Sequence, residues 1–481
     1  MNLSKSVFRS GWAVLLLLGF WSCKDDLDVI TPVETEPTPT TTTADDQSVN
    51  EWILSNMKDY YYWSSKIPAN PDVKKVPADF FKSLLYSFDA ASRPDGDRFS
   101  WIEENADELS ASLSGQTTTT GMEYALYLRS TGSSGVIAQV LYVLPGSPAA
   151  RAGIKRGDII TKVNSQSLTT SNYSKLLNGT TFNFGLGTVN GSTIVDSDQS
   201  RSVTATVFQE NPVFMDSIYT VGGKTVGYLV YNQFIPGANG SNAKEYDRQI
   251  DAIFQNFKNK GVNELVLDLR YNPGGYTSSS TNLASLIGRG VDNSKLYFRE
   301  EWNEGLTTYL KKEYGDSYFQ EKFVNKTQNI GGNLQRVFVL TTDWTASASE
   351  LIINGLRPYM PVITIGTTTY GKNVGSITLD DETGKIKWGM QPIVFKSYNS
   401  LGQSDYAAGF KPNIEIEEPL QLLPLGDTRE AFLSEALHQI TGGAVARRGA
   451  PESNPLNNVG VSLSRKAGNS NMFKADVKLN K

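Results

Sequence analysis

Helical spacing of apolar residues dominates the chain between Val49 and about Ser114. Residues that share one predicted helix face are Trp52, Ile53, Met57, Tyr60 and Tyr61, and the spacing repeats at Phe80, Leu84, Leu85 and Phe88. Aromatic side chains at this spacing are more often core residues than ligand contacts. The pattern therefore predicts a small helical domain.

Short strands separated by turn residues follow from Thr117 to about Val213. In the clearest stretch, a strand ends at Pro145-Gly146 and a short helix begins near Ser147-Pro148, where proline occupies the first turn. Gly153 ends that helix, and a Gly-Asp turn leads into a strand predicted over Ile159–Val163. A compact, strand-rich second domain is expected.

Strands alternate with helices from about Ile218 to Thr441, which predicts an α/β domain. The expected elements are a strand over Thr225–Tyr231, a helix over Tyr246–Phe257, and strands over Glu264–Leu269, Val337–Thr341 and Val362–Gly366. Beyond Gly442 the chain is polar and irregular, and we expect a poorly ordered tail.

The first residues have the pattern of a targeting segment. Lys5 and Arg9 precede an apolar run, Trp12–Trp21, that is too short to span a bilayer and is typical of a signal peptide. The run ends at Ser22-Cys23, which fits a lipobox with Cys23 as the lipidated residue; an ordinary signal peptide with a free thiol is the alternative. Residues 32–46 are rich in Thr, Pro and Glu and predict an extended tether.

Composition narrows the function classes. The formal net charge is −5 and no basic block occurs, which argues against a nucleic-acid partner. The chain has 1 His and 1 Cys, so an intramolecular disulfide is excluded and few transition-metal ligands are available. We expect no metal and no cofactor.

Ser347 is the candidate nucleophile. It stands between the predicted strand Val337–Thr341 and a helical pattern that begins at Ala348, so its hydroxyl is expected at a helix N-terminus, where free N–H groups favour developing negative charge. Ser347 and Glu350 also fit a capping box, and on this segment alone a structural cap is the more common explanation.

A serine needs a base, and the single histidine, His438, lies far downstream. Lys372 follows Ser347 by 25 residues, after the strand Val362–Gly366, and is the candidate base if burial lowers its pKa. The apolar side chains expected to bury Lys372 are Val362, Ile363, Ile365, Tyr370 and Val374. The backbone N–H groups of Gly274 or Gly275 and of Ala348 are candidates for an oxyanion hole, with a plain turn as the alternative for the glycines.

These motifs in this order resemble the C-terminal processing (tail-specific) serine peptidases, a family with a PDZ domain and a Ser–Lys dyad. The resemblance rests on the stretch 143–160, which resembles a PDZ domain, on Leu267–Arg270 with Asn272–Gly275, on Thr345–Glu350 and on Tyr370–Lys372. It implies Ser347 as nucleophile, Lys372 as general base, and a crotonase-like (ClpP/crotonase) α/β protease domain with an inserted PDZ domain and a small N-terminal helical domain.

The implied organisation is a lipoprotein signal peptide over 1–22, a disordered tether over 23–47, a helical domain over 48–115, a PDZ domain over 116–213, a protease domain over 214–441 and the tail over 442–481. PDZ domains bind peptides by strand addition and hold the terminal carboxylate on backbone N–H groups. The carboxylate-binding loop is expected near Gly121, Met122, Glu123 and Tyr124, although Glu123 is an unfavourable residue beside a carboxylate.

The sequence departs from the family pattern around the base. Many members carry glutamine four residues after the lysine to orient it, and here that position is Ser376, which is therefore a candidate orienting residue. Other members use an aspartate eleven residues after the nucleophile, where this chain has Pro358. Asn373 replaces the usual glycine after the lysine. The third catalytic residue stays open.

Three functions follow as alternatives. The first is a lipid-anchored endopeptidase that acts on protein or peptide substrates and is anchored at Cys23 in the cell envelope, in the outer membrane and facing the periplasm or the cell surface. Lys24-Asp25-Asp26 resembles the sorting signal of surface lipoproteins in Bacteroidetes-type bacteria, or is a solvated charge cluster. The second is a catalytically dead peptide-binding scaffold. The third is a penicillin-binding or β-lactamase-like acyltransferase, for which Ser241 to Lys244 fits S-x-x-K without the partner motifs.

Overall fold

The computed structural model describes residues 44–191, 193–238, 240–443, 454–466 and 472–474. The signal peptide, Cys23 and most of the tether lie outside these residues. Within the described ranges, the helices are too short or too polar for any of them to cross a membrane.

The N-terminal region forms a helical layer, as predicted, but its first helix begins at Ala44, so the predicted disorder is wrong for the last residues of the 23–47 tether. Its elements are α1 (Ala44–Tyr60), α2 (Pro77–Leu84), β1 (Trp101–Glu103) and α3 (Ala106–Leu113), with a 3-10 turn over Ser64–Lys66. The aromatic residues of α1 and α2 form a buried cluster that also includes Val374, Met390 and Ile393 of the later α/β region. The helical layer therefore packs directly on the segment that follows Lys372.

The second region is a strand-rich domain. It contains β2 (Gln116–Thr119), β3 (Met122–Leu128), β4 (Val136–Val143), α4 (Pro148–Arg151), β5 (Ile159–Val163), β6 (Gln166–Ser167), α5 (Tyr173–Leu177), β7 (Thr181–Asn190), β8 (Thr193–Thr204) and β9 (Thr206–Gln209). The helix at Ser147-Pro148 and the strand over Ile159–Val163 are confirmed. Ser147 caps α4 by accepting the N–H of Ala150.

The third region is α/β. Its first half contains β10 (Val213–Val221), β11 (Lys224–Tyr231), α6 (Glu245–Asn259), β12 (Glu264–Asp268), β13 (Gly275–Tyr276), α7 (Thr277–Ile287), β14 (Leu296–Trp302), α8 (Glu304–Tyr314) and β15 (Gln320–Lys322). Its second half contains β16 (Val337–Thr341), α9 (Ala348–Leu356), β17 (Val362–Gly366), β18 (Val374–Ile377), β19 (Gly389–Gln391), β20 (Ile393–Asn399), β21 (Ile414–Glu415) and α10 (Ala431–Ile440). Short 3-10 turns lie at Gly240–Asn242 and Asp316–Phe319.

Two six-stranded sheets organise this region. The first has the order β10-β11-β12-β16-β17-β21, and every neighbouring pair from β11 to β21 is parallel. Buried residues of α6, α7 and α9 form a common core with one face of this sheet and with β14 and β20, whereas α10 covers the other face. Because the carboxyl ends of parallel strands meet at one edge, the loops after β12, β16 and β17 are neighbours.

The prediction of a poorly ordered tail is wrong for the described part of the tail. Residues Asn458–Val461 form β22 and pair with β3, a 3-10 turn follows over Ser462–Arg465, and Met472–Lys474 form β23. The second sheet has the order β13-β23-β18-β20-β14-β15, with β23 inside it. These strands are only three or four residues long, too short to show a period in the sequence, and their backbone bonds come from sheets formed elsewhere in the chain.

Candidate active site

The site lies where three neighbouring parallel strands end. The loop after β12 carries Asn272-Pro273-Gly274-Gly275, the loop after β16 carries Ser347, and the loop after β17 carries Lys372. Parallel pairing of β12 with β16 and of β16 with β17 brings these three loops to one edge of the sheet. The structure thus brings together the predicted nucleophile, base and glycine pair.

Ser347 has the geometry of a constrained nucleophile. It is fully buried and adopts φ 63° and ψ −114°, one of the few positive φ values among the described residues other than glycine. A backbone conformation of this kind costs on the order of 1–3 kcal/mol and persists only where the surroundings enforce it. Its Oγ faces the backbone N–H of Glu350 as in a capping box, but it makes no hydrogen bond of normal geometry with any described residue.

Glu350 explains how that conformation is held. Its carboxylate accepts the N–H of Ser347 at 2.8 Å, so the glutamate contact of the predicted capping box is formed while the serine hydroxyl stays available. The same carboxylate accepts the backbone N–H of Gly371 and of Lys372, each at 2.8 Å, and the hydroxyl of Thr369 at 2.6 Å. The backbone nitrogens of Ser347 and Lys372 bond to the same oxygen, Oε2, which fixes the candidate nucleophile and the candidate base relative to each other.

Burial raises the pKa of Glu350 to about 7, and the four donated hydrogen bonds act in the opposite direction because they stabilise the ionised form. The sequence alone showed Glu350 only as the third residue of a helix cap. A glutamate followed by the apolar pattern Leu351, Ile352 and Ile353 was the available signal that its carboxylate would be buried.

Lys372 is also fully buried. Burial lowers its pKa to about 7, with Arg98 adding to the shift and Asp97 and Glu350 opposing it. An amine with a pKa near neutrality exists largely unprotonated at slightly alkaline pH and can then act as a base. The structure therefore supplies the desolvation that the lysine requires.

The surroundings of Lys372 include predicted and unpredicted residues: the ring of Tyr370, which was expected, lies 6.0 Å from the ring of Phe99, which was not. The Nζ of Lys372 lies 4.6 Å from the ring centroid of Phe99, a residue of the N-terminal region. Arg98 donates to the carbonyl oxygens of Gly371 at 2.8 Å and Ala407 at 3.0 Å. Local periodicity around Lys372 contains no information about a segment more than 270 residues earlier, so sequence reasoning missed these residues.

Asp97 is the acidic residue of this segment. Its carboxylate is 4% exposed, accepts the hydroxyl of Tyr61 at 2.9 Å and the N–H groups of Phe99 and Ser100 at 2.8 and 3.0 Å. These bonds hold a negative charge close enough to Lys372 to raise the pKa of the lysine.

Ser376 lies on β18 and is fully buried. Its hydroxyl donates to Oε1 of Gln391 at 2.7 Å, and Gln391 lies on β19. Gln391 is thus the main partner that the structure gives this hydroxyl. The role of Ser376 in orienting Lys372 stays a prediction.

The candidate oxyanion groups are distinguished by their hydrogen bonds. The N–H of Gly274 donates to Oδ1 of Asn272 at 2.9 Å and is therefore used within its own loop. Ala348 is the first residue of α9, so its N–H has no acceptor within the helix. Gly275 has φ 133°, and a Cβ there would lie 2.1 Å from the carbonyl oxygen of Phe234, so only glycine fits.

Asn272 connects the glycine loop to the nucleophile turn. Its carbonyl oxygen accepts the N–H of Ala346 at 3.2 Å and the hydroxyl of Ser349 at 3.0 Å. Its side-chain amide donates to the carbonyl of Tyr231 at 2.7 Å. The two halves of the candidate oxyanion hole are therefore positioned by one buried residue, which the sequence showed only as part of a turn.

The predicted carboxylate-binding residues Gly121, Met122, Glu123 and Tyr124 lie at the start of β3 and just before it. Glu123, the residue that fitted a carboxylate site poorly, accepts the hydroxyl of Ser462 at 2.5 Å. A cavity of about 300 Å³ opens beside these residues and is lined also by the end of α5 and by Lys466. Within the described residues, no cluster of three or more His, Cys, Asp or Glu side chains is arranged to hold a metal ion.

Three family models match the chain. Residues 225–416 match peptidase family S41, residues 48–101 match the peptidase S41 N-terminal domain, and residues 139–181 match a PDZ domain. A crystal structure of an S41 protease from Bacteroides fragilis NCTC 9343 is 30% identical, covers 81% of this chain and 97% of its own, and superposes with a TM-score of 0.68.

The chain belongs to peptidase family S41. Among curated proteins, the carboxy-terminal processing protease CtpA of Bacillus subtilis (strain 168) is 26% identical over 62% of this chain and 57% of its own length. A CtpA-like serine protease of Staphylococcus aureus (strain N315) is 25% identical over 58% of this chain and 51% of its own length. The match thus spans little more than half of these curated relatives. The range of this chain that matches peptidase family S41, residues 225–416, includes Gly274, Ser347 and Lys372.

Proposed function

We propose that this S41-family chain is a lipid-anchored serine endopeptidase that cleaves envelope or extracellular proteins through an acyl-enzyme on Ser347. One observation carries the proposal: a buried serine with an unpartnered Oγ and a buried lysine with a pKa near 7 are fixed by the same glutamate. A structural cap needs neither an unpartnered serine hydroxyl nor a buried lysine whose pKa is lowered. The parallel strands flanked by helices support a crotonase-like protease domain.

The proposed reaction uses only groups of the chain. Neutral Lys372 takes the hydroxyl proton as Oγ of Ser347 attacks the scissile carbonyl carbon, and the N–H groups of Gly275 and Ala348 stabilise the resulting oxyanion. The ammonium then gives that proton to the leaving amine, and the peptide C–N bond breaks. In the second half, neutral Lys372 accepts a proton from water as the water oxygen attacks the acyl carbon. The bond between that carbon and Oγ of Ser347 then breaks, the lysine returns the proton to Oγ, and the carboxylic acid product leaves.

The PDZ domain and the lipid anchor complete the proposal. β3 pairs with β4 along one edge and with β22, a short strand of the same chain, along the other, so this second edge can take an extended segment, which supports recognition of C-terminal or unfolded regions. Cys23 supports attachment to the outer membrane, with the folded part held away from the lipid by the tether rich in Thr, Pro and Glu over residues 32–46 and facing either the periplasm or the cell surface.

The test compares the unmodified protein with Ser347→Ala and Lys372→Ala on an unfolded protein and on peptides with different C-termini. We expect both variants to lose at least about 10³-fold in kcat/KM, since a nucleophile and its base act as a unit. A fluorophosphonate probe should label the unmodified chain and leave Ser347→Ala unlabelled. Equal cleavage by all three proteins would contradict the roles of Ser347 and Lys372, and no cleavage by any of them would favour the catalytically dead scaffold.

A further inference from the structure

The C-terminal segment of the chain adds a strand to the PDZ domain. β22 pairs antiparallel with β3, with Asn458 opposite Tyr127, Gly460 opposite Leu126 and Val461 opposite Ala125. The other edge of β3 pairs with β4, so β22 occupies the one edge that an external peptide would extend. Strand addition of this kind is how PDZ domains bind peptides.

Side chains make this contact specific. The hydroxyl of Ser462 donates to Glu123 at 2.5 Å and accepts the N–H of Tyr124 at 2.7 Å. Arg465 donates to the hydroxyl of Tyr124 and to the carbonyl of Leu177, at the end of α5. Val461 and Leu463 are 3% and 1% exposed and pack in a cluster with Tyr142. The segment therefore occupies the edge of β3 and reaches the end of α5, where it forms one wall of the cavity of about 300 Å³.

The same segment reaches the active site. β23 lies between β13 and β18, with Met472 opposite Gly275 and Phe473 opposite both Tyr276 and Ser376. β13 contains the candidate oxyanion residue Gly275, and β18 begins two residues after Lys372. A strand in this position uses backbone groups beside the site that an extended substrate would need.

Side-chain chemistry shows what this position accepts. The ring of Phe473 is 1% exposed and lies 4.2 Å from the ring centroid of Tyr276, in a cluster with Leu109 and Leu113. Lys474 donates to the buried carboxylate of Glu300 at 3.1 and 3.2 Å. The position therefore takes an aromatic side chain followed by a basic one.

We propose that the C-terminal segment, through residues 454–466 and 472–474, is an intramolecular peptide ligand that occupies both the PDZ edge and the strand position beside Ser347 and Lys372. In this state the protease is self-inhibited. A substrate with an extended segment, and with an aromatic residue followed by a basic residue, displaces the tail and gains access to the site. The inhibitory effect rests on the proposed peptidase function, whereas the pairing of the tail with β3, β13 and β18 does not depend on that function.

Tethering explains why the contact persists. A ligand on the same chain acts at an effective concentration on the order of mM, so even an affinity of about 10 μM leaves roughly 1% of molecules open. Weakening the contact by one or two side chains should raise the open fraction several-fold or more. This increase can be measured in the intact chain.

The experiment uses the full chain and two variants of the tail, Phe473→Asp and Arg465→Ala. We expect each variant to cleave an unfolded protein substrate at least about fivefold faster at low substrate concentration, and to label faster with the fluorophosphonate. Asn457→Ala is the matched control, since its side chain is exposed in the same segment, and it should behave as the unmodified chain. Unchanged or lower rates in both tail variants would overturn the inhibitory role.

A binding measurement separates this inference from the proposed function. All chains carry Ser347→Ala, and a labelled synthetic peptide with the sequence of residues 454–474 is titrated by fluorescence anisotropy. The peptide should bind the chain that carries Phe473→Asp at least about tenfold more tightly than the chain with the unmodified tail. An unlabelled peptide with the Phe473→Asp change should displace the labelled peptide poorly. If the variants only melt earlier and do not take up the peptide, the tail is a fixed structural strand and the inference is wrong. Peptide uptake in this assay, together with no cleavage by the chains that retain Ser347, would contradict the peptidase proposal alone.

Discussion

At the scale of single residues, Glu350 connects Ser347 and Lys372, the proposed nucleophile and base. One carboxylate receives four hydrogen bonds, and two of them come from the backbone of Ser347 and Lys372. The base itself is modulated by three residues of the N-terminal region, which supply a ring, a cation and an anion. Because Glu350 positions the two groups and Asp97 changes the pKa of Lys372, substitutions at these two residues should affect the rate in different ways.

Glu350→Gln should abolish most activity. The amide keeps one oxygen but places an NH₂ group against backbone N–H donors that then have no acceptor, at a cost of about 1–3 kcal/mol for each unsatisfied group. A displacement of either reacting group by about 1 Å can cost 10²-fold in rate, so we expect at least that loss in kcat. The control is Glu435→Gln, a buried glutamate of α10, whose kcat should change little. Similar kcat values for the two variants would exclude the positioning role.

The rate should depend on the protonation of Lys372. Because burial lowers its pKa to about 7, the neutral amine predominates above that pH, and kcat/KM should fall as the pH decreases through about 7. Asp97 raises the pKa of Lys372, so Asp97→Asn should lower it and move the acid limb down by roughly one pH unit. The measurement is a pH profile of kcat/KM from about pH 5 to about pH 9.

Asp95→Asn is the matched control for that profile. It removes the same charge two residues away, but Asp95 is exposed and its field is screened by water. Its profile should coincide with that of the unmodified protein. A profile that is flat across the whole range, or an equal shift in both variants, would contradict a lysine base under the influence of Asp97.

At the scale of elements, the PDZ domain and the protease domain meet through buried ions. Arg156 of the PDZ domain bonds to Glu418 at 2.6 Å and to the hydroxyl of Tyr271 at 2.7 Å, and Arg270 bonds to Asp268, Glu418 and Glu430. Tyr271 directly precedes Asn272, which positions both the glycine loop and the nucleophile turn. The orientation of the PDZ domain is thus linked to the oxyanion loop by adjacent residues.

Arg156→Met should weaken catalysis as well as stability. Breaking a buried ion pair typically costs about 3–5 kcal/mol, and Arg270 retains a bond to Glu418 that offsets part of this loss. We expect kcat/KM to fall at least about tenfold and the melting temperature to decrease. Arg151→Met, at an exposed arginine of α4 in the same domain, should leave both unchanged. Loss of stability with an unchanged kcat/KM would show that the ion cluster does not support the active site.

The elements themselves were largely predictable. The strands Ile159–Val163, Val337–Thr341 and Val362–Gly366 were predicted to the residue, and the helix after Ser347 has the expected start. Continuous apolar runs bounded by turn residues give this accuracy, since a buried parallel strand is apolar on both faces. β22 and β23 were missed because three or four residues carry no period and their order depends on sheets made by other segments.

At the scale of the whole molecule, the sequence predicts an anchor that the described residues do not include. Cys23→Ser should prevent lipid attachment and move the protein from the membrane fraction to the soluble fraction, without changing the rate of the purified enzyme. Lys24→Gln is a suitable control because it alters the neighbouring charge and leaves the thiol in place. Incorporation of a radiolabelled fatty acid measures attachment directly. Retention of Cys23→Ser in the membrane would contradict the lipoprotein prediction.

The sequence by itself determined the order of the domains, the strand and helix around each motif, and the identities of Ser347, Lys372 and Gly275 as candidates. These features are local: a period, a turn residue or a motif is read within about 20 residues. Only the tertiary structure decided that Glu350 joins the proposed nucleophile and base, and that Asp97 and Phe99 lie near the lysine. It also decided that the tail adds β22 to the PDZ sheet and β23 to the second six-stranded sheet. Those contacts join segments up to hundreds of residues apart, and they depend on burial and on sheet edges that exist only after the chain has packed.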